Sequence, residues 1–102
     1  MKLVRDLIPT IIEESGSSCA YHTVEGEELK QRLYEKMREE LDEFVEDPCV
    51  EEAADMLEVL FAMAESIDVT PEDILEVATS KFRERGGFKC GIILEEVIDG
   101  NR

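Results

Sequence analysis

Residues 39–55 read EELDEFVEDPCVEEAAD, and they contain the end of one predicted helix and the start of the next. Before the proline, apolar residues recur every three or four positions, at Leu29, Leu33, Met37, Leu41 and Phe44. This period predicts a helix over about residues 25–46, which ends at Asp47 because proline pushes the preceding residue out of the helical region. A second such series predicts a helix over about residues 50–66, with members at Ala53, Leu57, Leu60, Ala64 and Ile67. Only a few residues join the two helices, so we expect them to pack as an antiparallel hairpin.

Two further helices flank this hairpin. Thr70 as N-cap, Pro71 at the first helical position and Asp73 at the third predict a helix over about residues 71–85, which Gly86-Gly87 ends. A short helix is predicted over about residues 5–15, with Pro9 inside it and Gly16 at its end. The stretches 20–24 and 90–94 are typical of extended chain and could pair as a minor two-stranded ribbon. The expected fold is all-α, a four-helix bundle that forms a single domain over residues 1–102.

The charge of the chain is strongly negative and unevenly placed. The 102 residues carry a formal net charge of −15, and the whole excess lies between residues 25 and 76. This negative charge argues against binding to nucleic acid or to an anionic membrane surface, because proteins bind both through patches of lysine and arginine. The hydrophobic fraction of 43% is nevertheless that of a globular protein and not of a disordered acidic tail.

The cysteines and the first residues indicate a cytoplasmic protein. Cys19, Cys49 and Cys90 are odd in number and form no C-x-x-C pair, so neither a disulfide framework nor a zinc site is expected. No histidine lies at a catalytic spacing from them, and we expect all three to be packing residues. The first six residues are charged where a signal peptide is apolar.

Two pairs of acidic residues lie close to the predicted turn of the hairpin. Glu40 and Glu43 are three positions apart on the first helix, and Glu52 and Asp55 are three apart on the second, so each pair shares a helix face. Facing pairs would repel by about 4 kcal/mol per contact at 4 Å and an effective dielectric constant of 20. Only hard oxygen ligands are available, and these favour Mg²⁺ or Mn²⁺. Solvated helix surface is the alternative interpretation of the same residues.

The order of these acids resembles the EExxE…ExxD signature of the all-α nucleoside triphosphate pyrophosphohydrolases, which include MazG-like proteins and phosphoribosyl-ATP pyrophosphohydrolases. The first motif is Glu39-Glu40-x-x-Glu43 and the second is Glu52-x-x-Asp55. The opening KLVRDLIP at residues 2–9 and the segment KFRERGGF at residues 81–88 resemble two further motifs of one branch. The resemblance therefore covers nearly the whole chain.

This resemblance implies both the ligands and the reaction. Glu40, Glu43, Glu52 and Asp55 would bind Mg²⁺, and Glu39 would support them or orient water. The reaction would be metal-assisted hydrolysis of a nucleotide between its α- and β-phosphates, with Glu39, Glu40 and Glu43 as the catalytic acids. The cations that we expect to contact the phosphates are Lys81 and Arg85, four apart on one helix, together with Arg5 and Lys2. A small hairpin encloses little of a nucleotide, so a homodimer or higher homo-oligomer is expected.

Two other functions stay open on the sequence alone. One keeps the fold and the metal but takes phosphoribosyl-ATP, within histidine biosynthesis, as substrate. The other is a non-catalytic acidic helical module that binds a basic partner. The helix spacing is compatible with both.

Overall fold

The computed structural model describes residues 1–100, and its regular structure there consists of four helices. These are α1 (Ile8–Glu14), α2 (Gly26–Glu46), α3 (Val50–Glu65) and α4 (Pro71–Arg85). The predicted all-α class is confirmed. The predicted ribbon of residues 20–24 and 90–94 is wrong, because neither stretch is a strand. A β-branched run needs a paired and packed neighbour to form one, and residues 90–94 are fully on the surface.

The helix ends follow local chemistry. Bounds of α2, α3 and α4 agree with the predicted ones to within one residue. The first helix is shorter than predicted, since it begins at Ile8 with Pro9 in its first turn, where proline needs no hydrogen bond. Gly86 ends α4 with a φ of 80°, a left-handed conformation open to glycine, and its N–H donates to the carbonyl of Phe82 at 2.8 Å.

The chain divides into two compact units, which we describe separately. The first, residues 1–71, contains α1, α2 and α3, and its centre is the hairpin of α2 and α3 joined by residues 47–49. The second begins at Glu72 and contains nearly all of α4 and the segment after it. None of its described residues is buried.

The inward side of the hairpin agrees with the apolar period on α2 and departs from it on α3. On α2, the buried or half-buried residues of the predicted series are Leu29, Leu33, Met37 and Phe44. Among residues 1–100, the buried apolar side chains are those of Leu33, Val59 and Ala64. Leu41, Leu57 and Leu60, which the apolar period placed in the core, are 47%, 43% and 39% exposed. Ala53 and Ile67 are exposed as well.

Acidic side chains occupy part of the place those apolar residues were expected to take. On α2 the inward series runs Leu33, Met37, Glu40 and Phe44, and on α3 it runs Glu52, Asp55/Met56, Val59 and Met63. Glu40 is the most buried polar residue, at 5% exposed. On α3 the carboxylates thus lie inside the hairpin and Leu57 and Leu60 lie outside. On α2 Glu40 joins the predicted apolar series, of which only Leu41 is exposed.

No helix within residues 1–100 combines the length and the apolar character needed to cross a bilayer.

Candidate metal centre

Three carboxylates meet across the hairpin. Glu40 comes from α2, and Glu52 and Asp55 come from the first two turns of α3. One oxygen of each lies within 4.8 Å of the corresponding oxygens of the other two. Their convergence follows from the sequence, because a three-residue connection places the end of α2 beside the start of α3. These three residues are a candidate cation site, to which we refer below as the metal centre.

Two oxygens of the metal centre are buried without a partner. Oε2 of Glu40 and Oε2 of Glu52 are inaccessible to solvent, and neither has a hydrogen-bond partner among residues 1–100. A buried carboxylate that lacks a partner is costly, since it loses its hydration without compensation. The three carboxylates offer hard oxygen donors, and two of their oxygens are buried without a partner. Such a set fits a cation such as Mg²⁺ or Mn²⁺. The donor set is therefore chemically compatible with a hard divalent cation.

Glu43 belongs to a second, overlapping group. Its carboxylate lies with those of Glu39 and Glu40 on α2, again with one oxygen of each within 4.8 Å of the others. Glu43 is exposed, and the negative charge of Glu40, followed by desolvation and the charge of Glu52, raises the pKa of Glu43 above its usual value. Of the four predicted ligands, three lie in the metal centre, and Glu43 adjoins it through Glu40.

Three cations lie against these acids. Arg5 Nη2 is 2.6 Å from Oδ1 of Asp55, and Lys2 Nζ is 3.2 Å from Oε1 of Glu39. Lys36 Nζ lies between Oε1 of Glu40 at 3.1 Å and Oε1 of Glu39 at 3.5 Å. We expected Lys2 and Arg5 to contact substrate phosphates, and in this structure both contact carboxylates. Lys36 is not among the residues predicted from the sequence, although its position four residues before Glu40 is a signal that places the two side chains on one helix face.

Opposing influences act on the pKa values of Glu39 and Lys36. Desolvation acts to raise the pKa of Glu39, but the hydrogen bond from Lys2 and the charge of Lys36 outweigh it, and the pKa of Glu39 falls. Desolvation likewise acts to lower the pKa of Lys36, and the bond to Glu40 with the charges of Glu39 and Glu40 raises that pKa on balance. Both groups are therefore held in their charged forms.

The remaining predicted residues lie on α4. Lys81 and Arg85 are one helical turn apart and exposed, in the second unit of the chain. Their shared position on one helix agrees with the spacing argument.

A further group at the hairpin turn brings Asp47, Cys49 and Glu52 within the same 4.8 Å limit. Cys49 was expected only to pack, and no sequence pattern pointed to its closeness to the acids. A thiolate is a poor ligand for Mg²⁺, so this group suits that ion less well than the metal centre.

Comparisons of this chain with protein-family models, with curated proteins and with solved structures found no match.

Proposed function

We propose that this chain is a Mg²⁺-dependent nucleotide pyrophosphohydrolase of the all-α, MazG-like kind. The observation that carries the proposal is the buried, unpartnered Oε2 of Glu40 beside the oxygens of Glu52 and Asp55. On a solvated helix surface such an oxygen keeps its water, whereas at a metal site a bound cation would compensate for its burial. The order of the acidic motifs and their resemblance to that superfamily add independent support.

The reaction proposed is addition of water across the α–β phosphoric anhydride, which yields a nucleoside monophosphate and pyrophosphate. When bound, Mg²⁺ or Mn²⁺ supplies neutralisation of phosphate charge and a lowered pKa for its water. Glu40, Glu52 and Asp55 would hold the ion, Glu43 would complete the ligand set, and Glu39 would support them or orient water. For the phosphate oxygens we propose Lys2 and Arg5 and, on the resemblance alone, Lys81 and Arg85 of the second unit.

No side chain is required as a covalent nucleophile in this proposal. The three cysteines carry free thiols, and Cys19 and Cys90 are exposed. Free thiols suit a reducing compartment, and we place the protein in the cytoplasm.

A second copy of the chain completes the fold in this proposal. Leu41, Leu57 and Leu60 lie on the hairpin surface, and only three apolar side chains are buried among residues 1–100. A 102-residue chain ordinarily buries enough apolar surface for a larger core than this. A homodimer or higher homo-oligomer that covers these leucines supplies the missing burial and encloses the nucleotide.

A substrate screen tests the activity. The protein is incubated with Mg²⁺ or Mn²⁺ and with canonical, deoxy and damaged nucleoside triphosphates and phosphoribosyl-ATP, and monophosphate and pyrophosphate are quantified. We expect turnover of at least one substrate, and a loss of about 100-fold or more in Glu40→Gln, since even partners outside a metal's direct ligands cost 10- to 100-fold. The matched control is Glu35→Gln, an exposed position on the same helix, which should keep its turnover.

The same screen separates the alternatives. Preference for phosphoribosyl-ATP assigns the substrate of histidine biosynthesis to the same site. The proposal is abandoned if no substrate yields pyrophosphate and the melting temperature is unchanged by metal. In that case Glu40→Gln and Asp55→Asn should alter only affinity for a basic partner, as a non-catalytic acidic module requires.

A further inference from the structure

Residues 1–7 lie ahead of α1 and contain no helix or strand of their own, apart from the turn that leads into it. Two side chains of this segment make ion pairs to distant residues, and both pairs end on the acidic groups of the hairpin. Lys2 contacts Glu39 on α2, and Arg5 contacts Asp55 on α3, fifty positions away. The carbonyl of Arg5 also accepts the N–H of Ile8, the first residue of α1. The segment is thus held to the hairpin by the same carboxylates that form and flank the metal centre.

Arg5 and a cation bound at the metal centre would compete for the same carboxylate, that of Asp55. Asp55 is one of the three residues of that centre, and its Oδ1 is already engaged by the guanidinium at 2.6 Å. A divalent cation drawn to Glu40, Glu52 and Asp55 would lie close to that guanidinium, and two positive charges at such a distance repel. The unpartnered oxygens of Glu40 and Glu52 remain free for the ion. An ion at Glu40 also lies near Glu39, which belongs to the same acidic group, so its charge opposes that of Lys2 as well.

We propose that Arg5 is the resident counter-ion of Asp55 in the metal-free protein, and that a divalent cation displaces it and releases residues 1–7 from the hairpin. This inference rests on the metal centre proposed above and adds an order of events to it. By linkage, docking of the segment weakens metal binding by the same factor by which the metal weakens docking. Once released, Arg5 and Lys2 are free to bind an anionic ligand of the occupied centre, such as phosphate oxygens. This reconciles their expected role as phosphate ligands with their observed contacts to carboxylates.

Binding of Mg²⁺ by calorimetry tests the competition without any use of activity. The wild type, Arg5→Gln and Arg32→Gln are stripped with a chelator and titrated. Arg32 is the matched control, because it undergoes the same substitution and loss of charge on α2 but pairs with Glu35, outside both acidic groups. We expect Arg5→Gln to bind Mg²⁺ more tightly than Arg32→Gln, by up to about fivefold, the upper limit for loss of a partly exposed ion pair.

Backbone NMR of the wild type supplies an independent readout. Mg²⁺ is diamagnetic, so the heteronuclear NOE of residues 2–7 can be measured before and after saturation, and we expect it to fall as the segment is released. Equal or weaker Mg²⁺ binding by Arg5→Gln, or an unchanged NOE at saturation, overturns the displacement while the metal centre stands. If neither the wild type nor Arg5→Gln binds Mg²⁺, it is the metal centre itself, and with it the proposed function, that fails.

Discussion

At the scale of single residues, Glu40 is a buried acidic group that destabilises the metal-free hairpin. Its carboxylate is buried, with one oxygen bound to Lys36 and the other without a partner. The pairing of Lys36 with Glu40 adds little to helix stability, because the order lysine before glutamate is the weaker one at this spacing. Lys36 is only 18% exposed, so the pair is held inside the structure and not on the solvated surface. Its effect is to orient Oε1 and leave Oε2 free.

Replacement of Glu43 by Gln should stabilise the metal-free protein and weaken metal binding. The charge of Glu40 raises the pKa of Glu43 in the folded state, so its ionised form is disfavoured there. The free energy of unfolding therefore falls as the pH rises from the ordinary glutamate pKa of about 4.3 through the higher pKa of Glu43 in the folded state. Glutamine at this position stays neutral, so the variant does not lose this stability. In a chelator, the melting temperature of Glu43→Gln should exceed that of the wild type at pH 7 and equal it near pH 3.

The control for this change is Glu46→Gln, which removes the same charge outside both acidic groups. Its melting temperature should move less than that of Glu43→Gln at pH 7. A lower melting temperature for Glu43→Gln in the chelator would contradict the raised pKa, and unchanged Mg²⁺ affinity would remove Glu43 from the ligand set.

At the scale of the elements, the turn between α2 and α3 brings the acids together and is itself incompletely capped. Cys49 is the N-cap of α3, in extended conformation, and its side chain makes no capping hydrogen bond. Its carbonyl accepts the N–H of Ala53, so the helix starts normally, but the first amides lack a side-chain acceptor. The acids Glu51 and Glu52 in the first turn favour the positive end of the helix dipole.

Cys49→Ser should therefore stabilise the hairpin. A hydroxyl at the N-cap accepts a hydrogen bond from the second or third helical amide, and such caps contribute about 0.5–2 kcal/mol to the free energy of unfolding. Chemical denaturation of metal-free protein measures the gain. Cys90→Ser is the matched control, since Cys90 is exposed and lies outside the helices, and it should leave the midpoint in place. If Cys49→Ser is no more stable than Cys90→Ser, the serine hydroxyl does not form the N-cap hydrogen bond at this turn.

At the scale of the whole molecule, the buried apolar core is small and the outer face of the hairpin carries leucines. We expect sedimentation velocity at micromolar concentration to show a dimer or a larger oligomer. Replacement of both Leu57 and Leu60 by Gln removes apolar surface without a change in charge and should shift the protein toward monomer. The control, Leu7→Gln, changes an exposed leucine outside α2 and α3 and should leave the oligomer intact. A wild-type monomer at these concentrations would contradict the proposed assembly.

Local chemistry was enough to predict where α2, α3 and α4 begin and end, to within one residue. Asp47-Pro48, Thr70-Pro71 and Gly86 act through backbone sterics and hydrogen bonding within a few residues, so their effects can be read from neighbours in the chain. The meeting of Glu40 with Glu52 and Asp55 was also predictable, because helical spacing and a short turn suffice to bring them together. The failure at residues 20–24 and 90–94 has the opposite cause, since strands depend on a distant partner.

The orientation of α3 and the residues that pair with the cations could not be predicted from the sequence. The apolar period favours Leu57 and Leu60 as core residues, yet Glu52 and Asp55 face inward, because the packing of two helices is decided by the surfaces they offer each other. Likewise, nothing near Arg5 indicates that it meets Asp55, fifty positions away. Short-range sterics and spacing thus determine the helices and the acidic pairs from the sequence alone. Which charges are buried, and which cations neutralise them, depends on contacts between distant parts of the chain and is set only when these pack together.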